Sequence, residues 1–145
     1  MGGPVVTNTA LNLVELAGFD AEKSHFSTED GLCFAGRHLL IDLWQATRLD
    51  DLGHVEQTIR LAVEAVGATL LKIELHYFTE NHGVSGVAVL AESHMSIDTW
   101  PECSYAALDI FVCGDCDPYR ALPVLKAAFQ PGSLQVSEHR RGMMP

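Results

Sequence analysis

The chain has 145 residues, of which 48% are hydrophobic and 19% charged. That balance fits one globular domain burying roughly 70% of the surface its unfolded form exposes. Nineteen Asp and Glu against nine Lys and Arg give a net charge of −10, which makes nucleic acid a poor partner and a small cation a natural one. No apolar run reaches the length of a membrane span, so a membrane protein is not expected.

Residues 1 to about 34 have mixed periodicity, with a short helix-like patch around Leu11, Val14 and Leu16 before the polar SHFSTEDG. This segment reads as an N-terminal extension outside the core, open to flexibility, with one domain over residues 35–145. It lacks the basic n-region and continuous apolar core of a secretory signal, and Val6 breaks the myristoylation pattern, so the cytoplasm is the expected compartment.

From Gly36 the run RHLLIDLWQA is strand-like and ends in the polar TRLDD, whose second aspartate suits a helix N-cap. LGHVEQTIRLAVEAVG spaces Leu52, Val55, Ile59, Ala62, Val63 and Val66 as one helical face, with Gly67 as C-cap. ATLLKIELHYF and VSGVAVLAE read as strands around the turn TENHG. SYAALDIFVCG is a further strand, DPYRALPVLKAAFQP a helix opened by Asp117 and Pro118 with Pro123 in its first turns, and LQVSEHRRG a last strand with a basic tail. The order β-α-β-β-β-α-β predicts an α+β fold, a two-layer sandwich with helices packed on one face of a mainly antiparallel sheet.

Four cysteines, Cys33, Cys103, Cys113 and Cys116, are expected to stay reduced in a cytoplasmic chain of this size. Cys113 and Cys116 form a CxxC before a predicted helix, which leaves a thioredoxin-like reading open, and no zinc or other metal ligand set is assigned from the spacing. The stretch AESHMSIDTWPE, residues 91–102, crowds acids, serines, a histidine and a tryptophan between two plain strands. A serine in a strained turn can attack the carbonyl before it, which offers Ser93 as nucleophile, the Glu92 carbonyl as target and Ser85 as a helper one strand away. On the residues alone Ser93 reads as a turn residue ahead of a nucleophile, and His94 as exposed rather than catalytic.

GRHLLIDLW, LDDLGHVEQTIRLAVEAVGATLL, HYF, GVSGVAVLAESHMSIDTWPE, YAALDIFVCG and VSEHRRG together resemble the prokaryotic S-adenosylmethionine decarboxylase proenzymes, from about Gly36 to Gly142. The resemblance implies self-cleavage between Glu92 and Ser93, giving a β chain of residues 1–92 and an α chain of residues 93–145. In such proteins the serine hydroxyl attacks the preceding carbonyl to form an ester. β-Elimination and hydrolysis then leave a pyruvoyl group, whose ketone takes the substrate amine as a Schiff base and accepts the electrons released with carbon dioxide. It further implies Cys113 as proton donor, Ser85 as processing helper, Phe78 and Trp100 as adenine contacts, and Glu102 at the ribose or the sulfonium. A homodimer of αβ units making decarboxylated S-adenosylmethionine for spermidine is implied as well.

The departure is Asp98, where the family has a processing histidine; a carboxylate, with an ordinary pKa of about 3.9, is a weaker base than imidazole. A carboxylate there also suits a guanidinium or ammonium, so a pyruvoyl-dependent arginine or ornithine decarboxylase is the competing expectation. An uncleaved regulatory homologue is the third.

Overall fold

The computed structural model describes residues 26–144, and the helix-like patch around Leu11 lies outside the described residues. Six antiparallel strands form the sheet in the order β4-β5-β6-β7-β3-β8. They are β3 (Gly36–Trp44), β4 (Leu70–Tyr77), β5 (Val84–Leu90), β6 (Ser93–Trp100), β7 (Tyr105–Val112) and β8 (Ser133–Arg141). A small hairpin, β1 (Ser27–Glu29) and β2 (Leu32–Phe34), precedes them. The predicted architecture is observed.

Two helices, α1 (Leu52–Val66) and α2 (Ala121–Phe129), cover one face. α1 begins where Asp51 accepts a hydrogen bond from the His54 amide at 3.0 Å, and it ends at Gly67 with φ 85°, a conformation that favours glycine. Its apolar stripe of Val55, Ile59, Ala62, Val63 and Val66 is buried. Before α2, Pro118–Arg120 form a 3-10 turn capped by Asp117, and Pro123 lies in the first turn of α2, where no intrahelical donor is lost.

Strand alternation divides the side chains cleanly between the two faces. Leu39, Ile41, Leu43, Val84, Ala88, Leu90, Met95, Ile97, Ala106, Leu108, Ile110 and Val112 are buried beneath the helices. Gly86 belongs to that set by necessity, since a Cβ there would lie 2.6 Å from the Glu74 carbonyl oxygen and 2.1 Å from Leu75 Cδ2. Buried Thr99 accepts from the Val84 amide and donates to the Leu49 carbonyl, both at 2.8 Å, which ties β6 to the chain entering α1.

Residues 27–34, read from the sequence as extension, are part of the fold. The turn Asp30–Gly31 has positive φ at both positions, and Phe34 is fully buried. Glu29 pairs with Arg37 and Arg140, Met144 bridges back to Cys33, and the Arg140 guanidinium lies over the Phe34 ring at 5.2 Å.

Candidate active site

β5 and β6 are joined by a two-residue turn, Ala91–Glu92, with Leu90 opposite Ser93. Glu92 is held at φ 78°, in a region a side chain disfavours, so strain falls on the residue that supplies the carbonyl. Ser93 Oγ donates to that Glu92 carbonyl oxygen, which puts hydroxyl and acyl group in contact. At the same end of the sheet, just beyond β7, Cys113 Sγ lies 3.9 Å from Ser93 Oγ and 3.4 Å from both the Glu92 carbonyl oxygen and its carboxylate. Burial pushes the Cys113 thiol up; a Ser93 hydrogen bond offsets part of this, and the Glu92 carboxylate adds to it. The sulfur therefore keeps its proton at neutral pH.

Ser85 and Asp98 meet elsewhere. They are register partners on β5 and β6, and Ser85 Oγ donates to Asp98 Oδ1 at 2.5 Å. Asp98 is five positions along β6 from Ser93, roughly 17 Å at strand rise, so neither Ser85 nor Asp98 reaches the Ser93 of its own chain. Ser85 is one strand away from Ser93, as the sequence suggested, but the antiparallel register sets it opposite Asp98 rather than beside the Ser93 of its own chain.

Phe78, Trp100 and Asp98 line one cavity of about 470 Å³ with Glu80, Asn81, Val84 and Thr99. Glu102, in the 3-10 turn after β6, accepts from Asn81 Nδ2 at 3.3 Å on each carboxylate oxygen. The predicted site residues therefore form two groups, Glu92, Ser93 and Cys113 at one end of β6 and Phe78, Ser85, Asp98, Trp100 and Glu102 toward the other.

The sheet face away from the helices carries rows of side chains in which Trp44, Tyr105, Asp42, His76, His38 and Asp109, all missed by sequence reading, stand beside the expected Trp100 and Asp98. Trp100, Tyr105 and Trp44 stack in one row, with centroids 5.3 Å and 4.3 Å apart. Tyr105 donates to Asp42 at 2.6 Å, and this bond, with burial, pushes its phenol up to about 12. In another row His76 is the register partner of Ser85, beside Asp98. Nearer the cleavage end, His38 and His94 both contact Asp109. Only the period-2 pattern of each strand pointed to these residues, and it does not say which strands are neighbours.

Comparisons place this geometry among known proteins. Residues 37–142 match the family profile described as S-adenosylmethionine decarboxylase. A protein from Thermomicrobium roseum named S-adenosylmethionine decarboxylase proenzyme is 46% identical over 110 residues, covering 75% of this chain and 95% of its own. One of the same name from Methanococcus aeolicus is 44% identical over 112 residues, with the same coverage of 75% and 95%. The crystal structure of the adenosylmethionine decarboxylase from Aquifex aeolicus is similar with a TM-score of 0.69 at 31% identity, covering 77% of this chain and 94% of that one.

Proposed function

The chain belongs to the S-adenosylmethionine decarboxylase family, and from that premise we propose that it is a proenzyme that cuts itself between Glu92 and Ser93 and then decarboxylates S-adenosylmethionine for spermidine synthesis. The observation that carries this reading is the contact of Ser93 Oγ with the carbonyl of a residue in strained backbone. Attack by that oxygen moves the Glu92 acyl group from nitrogen to oxygen. Loss of the Ser93 α-proton with expulsion of the main-chain carboxylate of Glu92, the new C-terminus of the first fragment, gives dehydroalanine, and water converts this to the pyruvoyl end with release of ammonia.

That carbonyl, once formed, supplies the electron sink for loss of carbon dioxide. The remaining work falls to side chains. Cys113, 3.9 Å from Ser93 Oγ and with a thiol held protonated, is suited to return a proton to the decarboxylated carbon. Phe78 and Trp100 offer aromatic faces to an adenine, and Glu102 a carboxylate to hydroxyls or to the sulfonium.

The separation of the two groups along β6 supports a homodimer. Leu40, Trp44, Val87, Val89 and Trp100 are each more than a third exposed on the sheet face the helices leave open. Two chains paired through these faces about a two-fold would set the Ser93 end of one against the Ser85–Asp98 end of the other. Each site would then draw on both chains.

Mass spectrometry of purified protein tests the first step. Two fragments meeting at Ser93, the second blocked by pyruvoyl, are expected; one intact chain would instead identify an uncleaved regulatory homologue. Carbon dioxide release from S-adenosylmethionine, arginine and ornithine tests the second step. Asp98 in the cavity wall is the one feature favouring a basic amino acid, and release from arginine or ornithine alone would overturn the S-adenosylmethionine assignment.

A further inference from the structure

One cluster on the open face stands outside the roles proposed for that reaction. His38 of β3, His94 of β6 and Asp109 of β7 come from three adjacent strands. Asp109 Oδ2 lies 2.6 Å from His38 Nε2 and 3.1 Å from His94 Nε2, and the three ligating atoms all fall within 4.8 Å of one another. The imidazoles meet edge to face at 5.8 Å. Ser96 Oγ donates to the other Asp109 oxygen. Burial alone would push this carboxyl up, but hydrogen bonds from Ser96, His38 and His94 outweigh it and keep Asp109 ionised.

We propose that His38, His94 and Asp109 bind one divalent transition-metal ion of borderline softness, Zn²⁺ or Co²⁺. Two imidazole nitrogens and one carboxylate oxygen suit such ions, whereas Mg²⁺ and Ca²⁺ are bound through oxygen. In a tetrahedral site with bonds of about 2.0–2.1 Å, ligand atoms stand roughly 3.3 Å apart. The two Asp109 contacts reach that spacing when they lengthen by less than about 1 Å, and rotation of the side chains about their χ angles on a fixed sheet brings the histidine nitrogens, already within 4.8 Å of each other, to the same spacing. Coordination would replace the two histidine contacts to Asp109 with three bonds to the metal, one from each Nε2 and one from the carboxylate, each imidazole then carrying its proton on Nδ1. Ser96 remains on the outer oxygen and orients the carboxylate.

The ligands lie on both sides of the Glu92–Ser93 bond, so the ion would join the two fragments after cleavage. Binding itself needs no cleavage. Spacings of 56 residues between the histidines and 15 from His94 to Asp109 match no short metal-binding motif, which explains why the site was not legible before the strands were placed.

The test uses purified full-length protein, stripped with a chelator and titrated with Zn²⁺ by calorimetry and with Co²⁺ by visible absorption. About one ion per chain is expected, with the ligand-field band of nitrogen-coordinated Co²⁺. His38→Gln and His94→Gln should each abolish saturable binding, Ser96→Ala should weaken it about 10-fold, and His139→Ala, altering the register partner of His38, should leave it intact. No saturable binding by wild-type protein, or binding kept in both Gln variants, overturns the site. Should those variants misfold by circular dichroism, paramagnetic broadening in the wild type decides. Co²⁺ must broaden the His38 and His94 ring resonances first, and broadening centred on His54, His76, His82 or His139 overturns the proposal.

Discussion

Asp98 stands where the family resemblance expects a histidine, and its carboxylate accepts from Ser85 at 2.5 Å. A carboxylate is a poorer base for an α-proton than imidazole, so in the proposed dimer, where Asp98 of one chain faces the Ser93 end of the other, proton removal should limit self-cleavage. Asp98→His is expected to speed conversion of newly made chain into two fragments about 10-fold or more, followed by gel densitometry over time; an unchanged rate would show that Asp98 is not the limiting base. Cys113 makes a separate prediction. Its thiol is raised by burial and by the Glu92 carboxylate, so in an uncleaved Ser93→Ala chain alkylation by iodoacetamide should rise only at pH above that of an ordinary thiol. Adding Glu92→Gln removes the nearby negative charge and should move that rise to lower pH. A profile that E92Q leaves in place would mean that Glu92 does not act on the sulfur. Ser93, Glu92 and Cys113 were legible in the sequence because the family motif carries them, while the hydrogen-bond partners of Asp98, Asp109 and Tyr105 were not, since each lies on another strand.

Among the elements, α1 was the most legible, because a cap aspartate, a 3.6-residue apolar stripe and a terminal glycine each acts locally. The hairpin β1–β2 was missed although its signal was present. Asp30–Gly31 is a dipeptide suited to a tight hairpin turn, but flanking strands of three residues give too short an alternation to reveal a pair. The β5 strand illustrates what alternation alone leaves out. Gly86 reads as a weak point in a strand, yet the backbone of β4 and Leu75 occupy the space a side chain would need. Gly86→Ala is expected to destabilise the fold by about 1–3 kcal/mol, read as a lower urea midpoint with unchanged slope. Asp51→Ala, which removes the cap of α1, should cost about 1 kcal/mol by the same measurement. An unchanged midpoint for Gly86→Ala would mean that β4 moves aside without cost.

At the scale of the whole molecule, the register of β6 separates the cleavage residues from the cavity residues, and the proposed dimer through the open face would resolve the separation. Subunit complementation tests this directly. Cys113→Ala removes the proposed proton donor from one group, and Phe78→Ala removes an aromatic wall from the other, so each homodimer should be nearly inactive. If each site draws Cys113 from one chain and Phe78 from the other, a mixed dimer contains one doubly defective site and one intact site. Random exchange makes half the dimers mixed, so equimolar reassembly should recover about a quarter of wild-type activity. If both residues of a site came from one chain, every site in the mixture would carry a defect, and no activity would return. Sedimentation of each variant at the assay concentration separates these outcomes from a failure to pair. A Trp44→Glu change would place a charge in the exposed Trp100–Tyr105–Trp44 stack, and it should shift the protein to monomer and abolish the recovery. Recovery that persists in a monomeric Trp44→Glu mixture would count against pairing through this face, because the intact site would then form without it.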